Sequence, residues 1–456
     1  MKFLEKFVEK GQKWLDELAR RAPARLTLFI FFTIIVLDTL LLCLPIATRS
    51  RTSASFVDAL FTGTSAVCVT GLTVVPTDTY WSNFGLFVII LGVKIGGLGV
   101  MTLASMLSLA VSRHIGLTAR LLAANEKNSQ LGEVGSLVKM ALGVSVSVEL
   151  FVTILLFPKF MSLDYGIGKS LWYSIFMAIS SFNNAGFVIL PGGVAPLAEN
   201  FGIILPIALG LVIGALGFPV AMDLARNWRR PSHLTLHSKL TITTYFALML
   251  VGGGLNAVIE WNNASTFGRL NLNGKLLAAL MGGINTRSLG VSTIDVSQMH
   301  EASWFISDIM MFIGGGSAST AGGIKVTTFA VMVLAIIAEV RGNRDIEAFG
   351  RRIGPTTVRL SVAVVAMGAL IVGLATTALL LLTDFPLSRV LFEVISAFAT
   401  VGLSTGITPD LPDAAKVVLS ALMFTGRVGT MTFGAALAMR QRRRVIRYPE
   451  EAPNIG

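Results

Sequence analysis

Residues 60–75 read LFTGTSAVCVTGLTVV: about ten residues typical of a helix, a short polar stretch, one glycine at position 71, and then bulky apolar residues. The same order returns in three later segments, FMAISSFNNAGFVIL (176–190), LLAALMGGINTRSLGVST (276–293) and LFEVISAFATVGLSTG (391–406). When the four are aligned on one glycine each, these glycines recur about every 110 residues, at Gly71, Gly186, Gly290 and Gly402. Such regular recurrence is not expected of unrelated loops, so it indicates an internal repeat.

The chain around these segments is too apolar for a water-soluble protein. Of its 456 residues, 53% are hydrophobic and 14% are charged, and the mean hydropathy is +0.73. A soluble fold cannot hide so much apolar surface. Long apolar runs flank the four segments in pairs, at roughly 27–47, 84–111, 140–158, 202–225, 240–260, 304–340, 358–383 and 415–439. Each run is near or above the ~20 residues that cross a bilayer as a helix, which predicts eight spans.

The positions of the basic residues indicate the membrane topology. Lys and Arg concentrate in the N-terminus, in every second connection and in the C-terminal tail. By the positive-inside rule these parts are cytoplasmic, including both termini. The net charge of +11 therefore indicates membrane orientation and not nucleic-acid binding.

Lipid limits what the four glycine segments can be. Backbone that is not helical is tolerated at membrane depth only where protein buries it or where it lines a water-filled cavity. A helix too short to span, followed by an extended stretch with a glycine, therefore predicts a re-entrant pore loop. Four such loops around one axis would offer carbonyl oxygens that replace the hydration shell of a potassium-sized cation. The alternative is that each glycine has a helix-packing or kink role.

The predicted fold class is an all-α membrane protein with four sequential helix–pore loop–helix repeats around a pseudo-fourfold pore. The predicted units are a cytoplasmic amphipathic helix on the inner leaflet (1–24), repeats at 25–113, 138–228, 238–341 and 357–440, and a basic cytoplasmic tail (441–456). The predicted ion-binding filter residues are Val69, Thr70, Gly71, Asn184, Ala185, Gly186, Ser288, Leu289, Gly290, Thr400, Val401 and Gly402.

Seven motifs are spread along nearly the whole chain: VTGLTV (69–74), IGGLGVMT (95–102), FNNAGF (182–187), TRSLGV (286–291), GGGSASTAGGIKVTT (314–328), TVGLSTG (400–406) and GRVGTMT (426–432). Together they resemble the Trk/Ktr/HKT superfamily of potassium transporters. Eight spans that begin near residue 27 are more similar to the membrane subunit of bacterial Ktr systems than to Trk proteins, which carry two further N-terminal helices.

The resemblance implies potassium uptake across the bacterial inner (plasma) membrane, with sodium as a second candidate ion that stimulates transport. It also implies a homodimer embedded in membrane lipid, above a cytoplasmic ring of nucleotide-binding regulatory subunits. Two departures stand out. Lys94 replaces a glutamine that many relatives have before IGGLG, and leucine and valine flank Gly290 where alanine and phenylalanine are more usual.

The sixth apolar run, 304–340, is too long for one straight span, because at about 1.5 Å per residue it would reach about 55 Å. Its middle is rich in glycine and small polar residues, which form helices poorly. We therefore predict two half-helices joined by a gate loop at 314–324, and the resemblance implies the same. The predicted gate residues are Gly314, Gly315, Gly316, Ser317, Ala318, Ser319, Thr320, Ala321, Gly322, Gly323 and Lys325. The alternative is a packing interface of small residues.

Five charged residues fall in or near predicted membrane segments. Lys94 must face a cavity, pair with an acid or reach the interface. Arg287 and Arg427 are permanently charged, and each is expected either to limit cation flow as a barrier or to brace the loops through a buried ion pair. Asp58 and Glu393 are expected near the outer ends of short helices, where they would cap the helix or attract cations.

Two other functional classes, a carrier and a membrane enzyme, fit the sequence less well. A sodium-coupled carrier with alternating access also has repeats and broken helices, but carriers place ionisable groups at the midplane, and here the repeated feature is a backbone glycine. A membrane enzyme is not predicted, because no nucleophile–base pairing or His/Asp/Glu cluster recurs on the spans.

Overall fold

The computed structural model describes residues 23–115, 130–288 and 290–429. Nearly all of the predicted amphipathic helix (1–24) and the whole basic tail (441–456) lie outside the described residues. Leu289, one of the predicted filter residues, lies outside them as well.

Within the described ranges the chain forms fourteen helices of ten or more residues and one β-hairpin. The first seven helices are α1 (Pro23–Leu42), α2 (Phe56–Val67), α3 (Asn83–Ile115), α4 (Gln130–Met161), α5 (Ile167–Phe182), α6 (Phe201–Leu216) and α7 (Phe218–Asn227). The other seven are α8 (Leu236–Glu260), α9 (Leu272–Asn285), α10 (Glu301–Phe312), α11 (Val326–Val340), α12 (Pro355–Leu382), α13 (Leu387–Phe398) and α14 (Asp413–Phe424). Strands β1 (Ile346–Ala348) and β2 (Arg351–Ile353) pair antiparallel between α11 and α12.

The four repeated segments fold alike. Their apolar halves form α2, α5, α9 and α13, which have 12, 16, 14 and 12 residues. These helices are shorter than the ~20 residues needed to cross a bilayer. Each ends four or five residues before its aligned glycine, at Val67, Phe182, Asn285 and Phe398. The glycines therefore lie on non-helical backbone at the carboxyl ends of short buried helices.

Two of the long apolar runs are broken. The run 304–340 divides into α10 and α11 around the non-helical segment 313–325. The run 202–225, predicted as one continuous span, instead bends by 100° between α6 and α7. The bend is at Gly217, whose φ of +92° suits glycine because it has no Cβ. The single-helix prediction for 202–225 is therefore wrong.

Among the described residues, three helical stretches are long and apolar enough to cross a membrane on their own: Lys139–Met161, Leu236–Glu260 and Pro355–Leu382. The bent pair α6 and α7 makes a fourth if it is counted as one span. Bulky apolar side chains on α4, α8 and α12 face outward, among them Ile154, Leu250 and Leu381. Exposed apolar faces of this kind fit a lipid environment.

The core joins neighbouring repeats. One apolar cluster contains Phe31 and Phe61 from the first repeat together with Phe392 and Phe398 from the fourth. A second cluster spans the second and third repeats, and a third spans the first and second. The fourth repeat thus packs back on the first, which leaves the four glycine-bearing stretches on the inside of the fold.

Candidate functional site

The four glycine-bearing stretches are defined as loop 1 (68–72), loop 2 (183–187), loop 3 (286–291) and loop 4 (399–403). In each, the residue two before the glycine has positive φ: Val69 at 56°, Asn184 at 58°, Ser288 at 152° and Thr400 at 49°. In each, the amide of this residue donates a hydrogen bond of 3.0–3.2 Å to the carbonyl three residues earlier. All four helices therefore end in a turn closed by the same hydrogen bond, but the φ of Ser288 is much larger than that of its three counterparts.

Three of the aligned glycines also have positive φ: 87° at Gly71, 75° at Gly186 and 89° at Gly402. L-residues with side chains rarely adopt this conformation, so glycine is needed there. Gly290 in loop 3 does not share it. The backbone of loop 3 thus differs from that of the other three loops at the aligned position.

The four glycines meet in a closed ring. A Cβ added at Gly71 would lie 2.2 Å from a carbonyl oxygen of loop 2, and a Cβ added at Gly186 would lie 2.8 Å from the amide nitrogen of Gly290. A Cβ added at Gly290 would lie 2.5 Å from the carbonyl oxygen of Gly402, and one added at Gly402 would lie 2.1 Å from a carbonyl oxygen of loop 1. Each glycine therefore packs on the backbone of the next loop, and none of them has room for a side chain.

Serine side chains hold three of the loops from behind. Ser65 donates to the carbonyl of Leu72 at 2.8 Å and accepts from the amide of Gly71 at 3.0 Å. Ser180 donates to the carbonyl of Phe187 at 2.8 Å, and Ser396 accepts from the amide of Gly402 at 3.1 Å.

Loop 3 has a different support. The position six residues before Gly290 is occupied by Ile284, which has no hydroxyl. The next residue, Asn285, donates from Nδ2 to the carbonyl of Val291 at 2.7 Å. In loop 3, the side-chain amide of Asn285 thus takes the place of the serine hydroxyl that supports the backbone of the other three loops.

The four short helices set the electrostatics of the ring. Each points its carboxyl end at its own loop, and the last carbonyls of a helix carry a partial negative charge. Four such ends around one ring create a potential that favours a cation. Loop 3 alone among the four carries a charged residue, Arg287, three positions before its glycine.

The segment 313–325 packs against the ring. Asn184 of loop 2 donates from Nδ2 to the hydroxyl of Thr320 at 2.5 Å. A Cβ added at Gly322 would lie 2.1 Å from Oγ1 of Thr400 in loop 4. The segment also fills the bend between α6 and α7, since the amide of Gly316 donates to the carbonyl of Ala215 at 2.8 Å. Of the predicted gate residues, 314–316 and 318–323 are buried, and Ser317 and Lys325 are partly buried.

Backbone hydrogen bonds join the two ends of segment 313–325. The amide of Gly314 donates to the carbonyl of Ile324 at 2.8 Å, and the amide of Val326 donates to that of Gly315 at 3.0 Å. Lys325 donates from Nζ to the carbonyl of Ala321 at 2.6 Å. The segment is therefore a compact fold-back whose two ends lie side by side.

Two buried guanidinium groups hold the segment. Arg287 donates from Nη1 to the carbonyl of Ile313 at 2.5 Å, and Arg427, in the π-helical turn Thr425–Gly429, donates to the carbonyl of Thr320. Nε and Nη2 of both arginines have no hydrogen-bond partner in the part of the chain that the structure describes. Neither arginine forms an ion pair among these residues, and both hold the segment through its carbonyl groups.

The comparisons with known proteins agree with this architecture. The model of the family described as "TrkH: Cation transport protein" matches residues 3–443. The chain belongs to the TrkH cation transport family.

Similar members are the "Ktr system potassium uptake protein B" of Bacillus subtilis, 36% identical over 97% of this chain and 98% of that protein, and the "Potassium/sodium uptake protein NtpJ" of Enterococcus hirae, 34% identical over 96% and 98%. The crystal structure of the potassium transporter TrkH from Vibrio parahaemolyticus has the same fold, with a TM-score of 0.71 at 17% identity over 91% of this chain and 84% of that one.

Two ion pairs of this TrkH-family chain involve partners that its sequence did not show. Lys94 pairs with Glu149 on α4 at 2.6 Å. Asp58 is in the first turn of α2 and pairs with Lys416 of α14 at 2.9 Å, which ties the fourth repeat to the first. Both pairs join neighbouring repeats.

The prediction for Glu393 is wrong. This residue is fully buried in the middle of α13 and not at its outer end. Its carboxylate accepts hydrogen bonds from the hydroxyl of Ser404 at 2.5 Å, the amide of Thr405 at 2.9 Å and the hydroxyl of Thr408 at 2.9 Å. Glu393 therefore fixes the chain that leaves loop 4.

Sequence reasoning missed the residues that support the loops from behind. Ser65, Ser180 and Ser396 each stand six residues before the aligned glycine, and this spacing is visible in the sequence once the four segments are aligned. Glu149 and Asn183 had no comparable signal, since their contacts join parts of the chain that are far apart in sequence.

Proposed function

We propose that this chain takes up potassium ions across the bacterial inner membrane through a single channel-like pathway in the middle of the ring. Membership of a cation transport family and the names of its relatives, which are potassium uptake proteins, support the class of substrate. The function is transport and not enzymatic catalysis.

The closed ring of four glycines is the observation that carries the proposal. Glycine brings the backbone of each loop to the middle without a side chain, so carbonyl oxygens are left to bind the ion in place of its water. The residues we assign to the filter are Val69, Thr70, Gly71, Asn184, Ala185, Gly186, Ser288, Leu289, Gly290, Thr400, Val401 and Gly402. The carboxyl ends of four helices add a negative potential that attracts a cation without binding it covalently.

The segment 313–325 is the proposed gate. It packs on loops 2 and 4, and Arg427 and Arg287 hold it by its carbonyl groups. Glycines within it allow backbone rearrangement at low cost. In the proposed cycle the segment obstructs the pathway until the cytoplasmic end of α11 moves and draws it aside.

The proposed topology has eight spans in four repeats around a pseudo-fourfold axis, with both termini cytoplasmic. Two broken spans are part of it, because α6 with α7 and α10 with α11 each make one crossing. The proposed assembly is a homodimer in membrane lipid on a cytoplasmic ring of nucleotide-binding regulatory subunits, with sodium as an activating ion. The names of the Bacillus relatives describe them as parts of a Ktr system, which supports the presence of a further component.

Complementation of a bacterium that lacks potassium uptake tests the proposal. Wild type should restore growth at limiting potassium. Gly290→Ser should raise the potassium requirement, because its Cβ would lie 2.5 Å from the carbonyl oxygen of Gly402. Gly254→Ser is the matched control, since Gly254 is exposed on α8 and an added Cβ there meets nothing within 4 Å. Failure of wild type to rescue, or equal behaviour of the two variants, would contradict the proposal.

A sodium-coupled carrier is the second candidate. The 100° bend between α6 and α7 and the break between α10 and α11 favour it, since carriers of this kind use discontinuous helices. Flux that requires sodium at a fixed ratio to potassium would identify a carrier. Potassium flux that persists without sodium, down the potassium gradient, would identify the channel-like pathway.

A further inference from the structure

A partly buried ammonium group lies behind loop 2. Nζ of Lys94 on α3 lies 2.6 Å from each carboxylate oxygen of Glu149 and 2.6 Å from the hydroxyl of Ser145, both on α4. The hydroxyl of Ser145 also donates to Glu149 at 2.9 Å. The lysine therefore meets three oxygen atoms at distances typical of strong, charge-assisted hydrogen bonds.

This cluster is bonded directly to loop 2. Nδ2 of Asn183, the first residue of loop 2, donates to the carboxylate of Glu149 at 3.0 Å. Asn183 is fully buried and precedes Asn184, which contacts the segment 313–325. The position of Glu149 thus sets the position of the residue from which loop 2 begins.

Helix α3 presses on the same residue from the other side. A Cβ added at Gly97, one turn after Lys94, would lie 2.1 Å from Oδ1 of Asn183. A Cβ added at the neighbouring Gly96 would lie 1.9 Å from the carbonyl of Val67, where α2 ends before loop 1. Helix α3 is therefore wedged between loops 1 and 2 by two glycines, and the Lys94–Glu149 pair joins it to α4.

The charge of Lys94 is essential to this arrangement. The side chain of Glu149 is 10% exposed, and Lys94 is the cation paired with it among the described residues. Removing one partner of a buried ion pair leaves the other charge uncompensated, which is costly enough to move the groups around it. The first group to move would be Asn183.

From these contacts we propose that Lys94 is a tethered counter-ion that positions loop 2 and thereby sets how well the protein distinguishes potassium from sodium. The inference rests on the proposed function, because selectivity depends on the geometry of the carbonyl oxygens that loops 1 to 4 supply. Loop 2 packs its carbonyl against Gly71 of loop 1, so a shift of loop 2 also reaches its neighbour. Lys94 is a positioning residue and does not touch the ion.

The test measures potassium uptake and its competition by sodium, in cells and with purified protein in liposomes. Lys94→Met keeps an unbranched side chain, shorter by one atom, and removes its charge. It should lower the potassium-to-sodium uptake ratio by about tenfold. This is the lower end of the loss in affinity or activity that follows when a residue supporting a metal ligand is mutated.

Lys416→Met is the matched control. Lys416 forms an ion pair of 2.9 Å with Asp58, and this pair also joins two repeats. The two pairs are exposed to a similar degree. The side chains of Lys416 and Asp58 are 11% and 20% exposed, and those of Lys94 and Glu149 are 19% and 10% exposed. Among the described residues, the side-chain hydrogen bond of this pair joins Lys416 to Asp58 and does not reach loops 1 to 4. Lys416→Met should lower thermal stability as Lys94→Met does, while its potassium-to-sodium ratio stays that of wild type.

The double variant Lys94→Gln/Glu149→Gln separates positioning from simple loss of stability. It removes both charges, keeps hydrogen-bonding groups towards Asn183, and should recover most of the wild-type ratio, whereas Glu149→Gln alone should not. If Lys94→Met does not fold, the comparison of Glu149→Gln with the double variant decides the question.

The proposal is overturned if Lys94→Met keeps the wild-type ratio, if Lys416→Met changes it equally, or if the double variant is no better than Glu149→Gln. Failure of the proposed function would look different, since the wild-type protein would then show no potassium uptake in the same assay.

Discussion

The backbone of loops 1, 2 and 4 is held in place in one way, and that of loop 3 in another. In the first three, a glycine with positive φ and a serine six residues earlier hold the backbone through local bonds. In loop 3 the glycine lacks positive φ, and Ile284 replaces the serine. Arg287 reaches from this loop to the carbonyl of Ile313, where the segment 313–325 begins. Loops 1, 2 and 4 therefore each have a serine of their own repeat behind them, while loop 3 has Asn285 in that role and is also joined to the proposed gate by Arg287.

The difference indicates where the proposed filter and the proposed gate are connected. A change in the position of segment 313–325 would act on loop 3 through Arg287 and on loop 2 through the bond between Asn184 and Thr320. Loop 1 is held by Ser65 within its own repeat. Substitutions in equivalent positions of different loops should consequently have unequal effects.

The largest expected difference is between two glycines of the ring. Gly71→Ala meets a carbonyl oxygen at 2.2 Å and also forces a φ of +87° on an alanine, which costs about 1–2 kcal/mol on its own. Gly290→Ala meets a carbonyl oxygen at 2.5 Å without that backbone penalty. We expect Gly71→Ala to abolish rescue at limiting potassium and Gly290→Ala to retain part of it.

Growth over a potassium series, together with size-exclusion profiles of both variants, checks this order. A Gly290→Ala protein that is as defective as Gly71→Ala while both fold would remove the distinction between loop 3 and the others.

A middle-sized effect is expected from the serine supports. Ser396→Ala leaves the buried amide of Gly402 without its acceptor, which costs about 1–3 kcal/mol. It should lower thermal stability and the potassium-to-sodium ratio together. Ile284→Val, at the corresponding position of loop 3, should cost about 0.5–1.5 kcal/mol and leave the ratio unchanged. Thermal unfolding and competition uptake on the same preparations would test this, and an equal loss of ratio in both variants would refute it.

The smallest expected effects concern the two arginines. Arg427→Gln and Arg287→Gln each weaken a hydrogen bond to segment 313–325, worth about 1 kcal/mol, and so should raise rubidium influx by a few fold. Arg287→Gln should also lower the potassium-to-sodium ratio, because this arginine belongs to loop 3.

Arg389→Gln, which removes an arginine that stacks on Trp304 away from the segment, serves as the control for lost charge. Unchanged influx in folded Arg427→Gln and Arg287→Gln proteins would argue against their role in holding the segment.

Features that depend on residues close together in the chain could be predicted from the sequence. The four short helices, the aligned glycines and the break in the sixth apolar run follow from composition and spacing, because each depends on residues within one segment. The bend at Gly217 was missed because the run 202–225 is apolar up to Asp223, although Gly217 and Pro219 lie in its second half.

Contacts between distant parts of the chain could not be predicted from one sequence. Lys94 and Glu149 meet only after α3 and α4 pack together, and nothing near Lys94 in the sequence identifies its partner. Glu393 was expected at a helix end because α13 was expected to begin later than Leu387. Inside the fold, the hydroxyls that follow loop 4 provide the hydrogen bonds that allow this carboxylate to be buried.

The central claim is that the four glycine loops bind one dehydrated cation with their carbonyl oxygens. An experimental structure of the protein with rubidium, located by its anomalous scattering, tests this most directly. We predict a peak inside the ring, within coordination distance of carbonyl oxygens from all four loops. A ring without bound rubidium, or a loop whose glycine points away from the ion, would contradict the account.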